Sequence, residues 1–330
     1  MDSHVCSTFR FMFSDRNTES DFIFLCHGNR IHLTVTAEAL QRSPSVQSRY
    51  LHFLKVAEEY ELDGLTVEDF YDWILEGCAQ EFHRLPPNAP EHPTLEDFFH
   101  SPTWYYELSA SEDDKFVLAK VDGSEDFIPP GSELSDELFA PWASFAPSQV
   151  HIVCDLPEMA LAKTPKKVGT SEDKIHYFKL FDRSDAMMAR RELEKYSQIE
   201  KAKLDGLPIS RLNGIVRDPG GTFHGLLLTY IDADAQTLLC AVNEDTSNLL
   251  RQRWSDQVSS ALKHLHEAGI VWGDAKPDNV LIDSQDDAWL IDFGGGYTEG
   301  WVDKELAETM EGDLQGLARI KEYIFEVFEE

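Results

Sequence analysis

Residues 269–296 read GIVWGDAKPDNVLIDSQDDAWLIDFGGG, and no other stretch of the 330-residue chain restricts its fold as much. Two apolar pieces with β character, NVLI and AWLI, flank the acidic turn SQDD and would hold the preceding polar loop rigidly. Within this stretch Asp274 is followed by Lys276 two residues on, by Asn279 five on and by Asp292 eighteen on. Asp292 opens the tripeptide Asp292-Phe293-Gly294.

Those residue types make up the kit that phosphoryl transfer requires: a carboxylate to accept the attacking hydroxyl's proton, a cation near the moving phosphoryl, and two hard oxygen ligands for magnesium. Asp274 and Lys276 fill the first two roles, and Asn279 and Asp292 the last. The surrounding text supplies a frame. VHIV, PKKV, IHYFKLF, LNGIV and HGLLLTYI read as five strands, with the helical run MMARRELEKYSQIEKAKL between the third and fourth. After Tyr230 the pattern turns helical: Leu250, Trp254, Val258, Ala261, Leu262 and Leu265 form one apolar stripe before Gly269. Leu314, Leu317, Ile320, Ile324 and Phe328 form another.

At these residues the sequence resembles the protein-kinase-like superfamily. GDAKPDN is similar to its catalytic loop, DFG to its metal-binding turn, YFKLF to the strand carrying its ATP-binding lysine, and EGDLQGL to the helix whose aspartate anchors the catalytic loop. The style of the match is also similar to compact fungal kinase-like proteins. The resemblance implies ATP and Mg as cofactors, with Lys179 on the phosphates and Glu192 as its ion-pair partner. Glu192 is preferred over Glu194 because Leu193 and Tyr196 set a core stripe beside it. Leu228, Tyr230 and Ile231, at the end of HGLLLTYI, complete the implied nucleotide site, and Asp313 is the implied anchor. The expected fold is α+β: a bilobal protein-kinase-like domain over 146–330, with an N-lobe at about 146–230 and a truncated C-lobe at about 231–330. Residues 1–145 form an N-terminal α/β extension of unknown role.

Departures from the family pattern carry their own expectations. Trp272 and Gly273 replace the usual His-Arg before the catalytic aspartate, which removes the arginine that would read a phosphorylated loop. No glycine-rich loop is recognisable between Val150 and Lys174. The stretch Lys163–Lys203 instead carries eleven Lys+Arg against seven Asp+Glu, a local +4 able to attract triphosphate or simply to solvate a helix face. Asp313 follows Asp292 by twenty-one positions, with no Ala-Pro-Glu between them. Lys276 favours a Ser/Thr protein kinase, transferring the γ-phosphoryl of ATP to a hydroxyl of a protein. The short large lobe favours a small-molecule kinase, and the missing glycine-rich loop a pseudokinase acting as a binding or scaffold module.

Composition bounds the partners. With 29 Lys+Arg against 60 Asp+Glu, a formal charge of −31 repels polyanions and disfavours nucleic acid. Cys6, Cys26, Cys78, Cys154 and Cys240 are scattered without a C-x-x-C pair and read as reduced, mostly buried thiols. The N-terminus lacks a basic start followed by an apolar run, and nowhere do about eighteen apolar residues follow one another, so no membrane partner is expected. A soluble, cytoplasmic protein is the expectation.

Overall fold

A computed structural model describes residues 6–14, 16–123, 131–170, 174–233 and 236–326. Contacts divide the chain into two units, Met1–Pro129 with Ser148–Ser171, and Pro130–Pro147 with Glu172–Glu330. This corrects the expected single boundary after residue 145: the chain leaves the first unit, returns to it, and leaves again.

The first unit is built on a five-stranded sheet in the order Cys6–Phe13, Glu19–Cys26, Asn29–Thr36, Thr103–Ala110, Phe116–Lys120. His27 and Gly28, both at positive φ (50° and 74°), make the two-residue hairpin turn that a right-handed strand twist favours. Asn29–Thr36 pairs in parallel with Thr103–Ala110, so the connection between them must cross over. It carries the helices Pro44–Glu59 and Val67–Phe82, whose apolar faces meet the sheet in a core of Phe22, Phe24, Tyr50, Phe53, Phe70 and Phe82. The rings of Phe53 and Phe70 stack at 4.9 Å. Two of the strands expected in the small lobe, His151–Ile152 and Lys167–Gly169, pair antiparallel within this unit, tied by Leu95 N–H to Val150 O and Ile152 N–H to Pro93 O. Residues 171–173 of the polar turn after Gly169 lie outside the described residues. The thiol expectation fails at one pair: Cys6 and Cys26 face each other across neighbouring strands and form a disulfide. Of the remaining three, Cys78 is buried and Cys240 exposed.

In the second unit the strands run in the order Ser144–Phe145, Leu212–Arg217, Phe223–Thr229, Ile175–Leu180, the first pairing parallel and the others antiparallel. Helix Ala186–Ala202 buries Ala189, Glu192, Leu193, Tyr196 and Ile199 at steps of one and three residues, and ends where Lys203 turns left-handed (φ 51°). Ser247 caps helix Asn248–Glu267 by accepting from Leu250 N–H, and the expected stripe from Trp254 to Leu265 is buried. NVLI and AWLI form the antiparallel hairpin Val280–Ile282 with Ala288–Leu290. Helix Met310–Glu326 packs on Asn248–Glu267, but its buried face differs from the expected one. It turns Gly312, Asp313, Gly316, Ile320 and Ile324 inward and leaves Leu314 55% exposed, while Phe328 lies outside the described residues. The inward glycines explain this: a β-carbon at Gly316 would stand 2.4 Å from Ala275 O, so the helix and the loop that carries Ala275 meet backbone to backbone. One core runs through sheet and helices, including Leu193, Leu226, Trp254, Leu262, Trp272, Phe293 and Ile320. No helix among the described residues is long and apolar enough to cross a membrane.

Candidate active site

Lys179 lies on strand Ile175–Leu180 opposite Leu226, and cross-strand alternation puts Tyr177 and Leu228 on the same face. Its Nζ stands 2.8 Å from Glu192 Oε2 and 2.7 Å from Asp292 Oδ1. Glu192 is fully buried, whereas Glu194, two residues along the helix, is exposed. Burial alone would lower the Lys179 pKa, but the two carboxylates outweigh it and hold the ammonium charged. Burial pushes the Glu192 carboxyl up to about 7, against the pull of the Lys179 ammonium.

Asp292 is 43% exposed on its side chain and sits at φ 57°, a left-handed conformation that aspartate tolerates better than most residues. The next residue, Phe293, is buried and meets Tyr196 edge-on at 5.6 Å. Trp272 lies in the same core, and its Nε1–H donates to Ile291 O at 2.8 Å, so the residue standing in place of histidine fixes the strand leading into the turn.

Asp313 holds the loop that begins at Trp272 from below. Its buried carboxylate accepts Trp272 N–H at 2.7 Å and Gly273 N–H at 2.8 Å, and His266 Nε2 stands 2.8 Å from the same group. Gly273 adopts φ 98°, and a β-carbon there would come 3.2 Å from Gly295 Cα. The glycine is therefore required by the turn, besides lacking an arginine's charge.

Above that anchor, Asp274 receives three donors. Lys276 Nζ lies 2.9 Å and Asn279 Nδ2 3.0 Å from Oδ2, and Thr298 Oγ1 donates to Oδ1 at 3.1 Å. Lys276 Nζ also donates to Thr298 Oγ1 at 2.8 Å, closing a triangle, and Asn279 Nδ2 reaches Asp274 O at 2.9 Å. Leu228 is buried as part of the core, and Tyr230 and Ile231 lie half-buried just beyond the strand end. The structure thus brings Lys179, Glu192 and Asp292 together in one cluster and Asp274, Lys276 and Asn279 in another, both within one unit.

Residues 177–312 match the family model of the protein kinase domain. Over those residues the chain is similar to protein kinase domains. Serine/threonine-protein kinase SKS1 of Saccharomyces cerevisiae is 28% identical over 136 residues, 36% of this chain and 26% of that protein. Serine/threonine-protein kinase VHS1 of the same yeast is 40% identical over 57 residues, 17% of this chain and 12% of that protein. A 3-deoxy-D-manno-octulosonic acid kinase of Photobacterium damsela is 33% identical over 78 residues, covering 23% of this chain and 31% of that enzyme. The matched region thus spans only about a quarter of the first of these relatives, or less in the second.

Two residues of the candidate site, His266 and Thr298, lie outside every motif of the sequence. Neither has a spacing signal: His266 meets Asp313 across 47 residues and Thr298 meets Lys276 across 22, distances that only the fold closes. Arg191, counted in the local positive patch, is engaged by Glu308 at 2.6 Å.

Proposed function

We propose that the kinase domain is an ATP- and magnesium-dependent phosphotransferase acting on a hydroxyl, of the Ser/Thr protein kinase type. The observation that carries this reading is the closed triangle of Asp274, Lys276 and Thr298. Three donors hold the Asp274 carboxylate in one orientation, the aim a proton acceptor needs. In this reading Asp274 orients the substrate hydroxyl and takes its proton as the oxygen attacks. Lys276 stabilises negative charge on the phosphoryl group in transit. Lys179, aimed by Glu192, holds the α- and β-phosphates, and Leu228, Tyr230 and Ile231 border the base.

The donor set suits magnesium. Asn279 spends its Nδ2 on Asp274, which leaves its carbonyl oxygen, with the Asp292 carboxylate, as hard ligands. Magnesium keeps several waters and completes its shell from substrate phosphates, so two protein ligands suffice. When bound, the ion would neutralise phosphate charge that Asp274 and Asp292 otherwise repel.

The identity to a 3-deoxy-D-manno-octulosonic acid kinase favours a second reading, transfer to a small-molecule hydroxyl. The test is a phosphotransfer screen with labelled ATP and magnesium against generic proteins and hydroxyl-bearing small molecules, with a chelator control. Chelator-sensitive label on protein Ser or Thr is the expected result, and label on small molecules alone would install the second reading. Nucleotide binding without transfer to anything would replace both with a binding module.

A further inference from the structure

Arg191 and Glu192 are neighbours on helix Ala186–Ala202 and engage different parts of the domain. Glu192 reaches Lys179, while Arg191 Nη1 reaches Glu308 Oε1 at 2.6 Å. Glu308 stands two residues before helix Met310–Glu326, whose Asp313 carries the catalytic loop, and its backbone is left-handed at φ 57°. Its carboxylate lies along the glycine run after the DFG turn: a β-carbon at Gly295 would come 3.1 Å from Glu308 Oε1. Lys195, one turn beyond Arg191, is within electrostatic reach of Glu308 and of Asp313. The Glu308 carboxylate therefore sits against the positive face of the helix that carries Glu192, beside the glycine run that leads to Thr298.

We propose that Arg191 and Glu308 are a positioning pair of the phosphotransfer site, holding helix Ala186–Ala202 against the segment after the DFG turn so that Glu192 keeps Lys179 seated. This rests on the reading of the domain as a phosphotransferase, and it names how the site is kept assembled. The negative charge is written into the sequence as Glu308, so assembly needs no added phosphate, and Gly273 offers no cation that would read one. Both side chains are about half exposed (50% and 43%), so the pair is screened by salt and contributes little to global stability. Its effect falls on the population of docked helix instead.

A double-mutant cycle decides the matter. Arg191→Ala and Glu308→Ala should each lower kcat about two- to five-fold, the size expected of one exposed ion pair, and the double variant should be no worse than either single. Arg191→Lys should recover part of the loss, and added salt should slow the wild type toward the variants while leaving the variants flat. Hydrogen–deuterium exchange supplies a readout independent of turnover: amides of residues 186–202 should exchange faster in both singles, with no further gain in the double. Strictly additive losses, or unchanged exchange in residues 186–202, would overturn the pairing. If the wild type transfers phosphate to nothing, the phosphotransferase reading falls, and the exchange cycle alone still decides whether this pair docks the helix.

Discussion

Asp274→Asn keeps the side chain's shape while removing its charge and basicity. In the structure Oδ2 faces Lys276 Nζ and Asn279 Nδ2, and Oδ1 faces the Thr298 hydroxyl. An asparagine with its oxygen in the Oδ2 position keeps the first two donors, and the Thr298 hydroxyl can turn to accept from the new amide. What is lost is the charge on hydrogen bonds to a largely buried lysine, worth about 1–3 kcal/mol. Loss of a proton acceptor costs turnover about 10²–10⁴-fold, or about 3–5 kcal/mol of barrier. The kinetic effect should therefore exceed the effect on stability. Urea unfolding followed by tryptophan fluorescence measures the stability, single-turnover transfer the barrier, and calorimetry with ATP and magnesium checks that nucleotide affinity persists. A folded variant that loses less than ten-fold in turnover would refute the assignment of Asp274 as proton acceptor. One that loses more stability than barrier would make Asp274 a structural cap of its loop.

Three further outcomes follow from the same geometry. Because burial holds the Glu192 carboxyl at about 7 in the folded chain against 4.5 as the ordinary value, the folded state keeps a proton that the unfolded state releases between those pH values. Stability should fall as pH rises through that window, and Glu192→Gln, which cannot titrate, should flatten the curve by on the order of 1–3 kcal/mol in chemical denaturation. Thr298→Ser should retain most turnover, whereas Thr298→Glu should lower it at least ten-fold by setting a second carboxylate against Asp274. A severalfold rise with Glu in steady-state assays would show that a basic reader for a charged segment exists. Gly316→Val must push helix Met310–Glu326 off Ala275 O, and thermal melts should show a loss of about 2–4 kcal/mol together with lost activity.

Much of this site was legible because its chemistry is nearly contiguous. Asp274, Lys276, Asn279 and Asp292 fall within nineteen residues, where spacing alone constrains them, and helical phase was enough to choose Glu192 over Glu194. What escaped depends on tertiary register. His151–Ile152 and Lys167–Gly169 are too short to show periodicity, so nothing in them announced the unit to which they belong. The pairing of Cys6 with Cys26 is set by strand register, which a count of cysteines does not contain. Leu314 misled because a hydrophobic stripe marks burial only where side chains fill the contact. Helix Met310–Glu326 instead buries its smallest residues against a backbone.

Asp313 changes what kind of loop carries Asp274. The amide protons of Trp272 and Gly273 are held by the buried carboxylate of Asp313, and Ala275 O rests against the same helix at Gly316. To swing Asp274 outward, the chain would have to strand two buried donors and pull its backbone away from the core. The segment therefore belongs to the cooperative unit of the large helices, and its opening should require most of the free energy of unfolding that unit. A protease should cut at exposed turns of this domain, such as Asp218–Gly221, long before it cuts between Trp272 and Lys276.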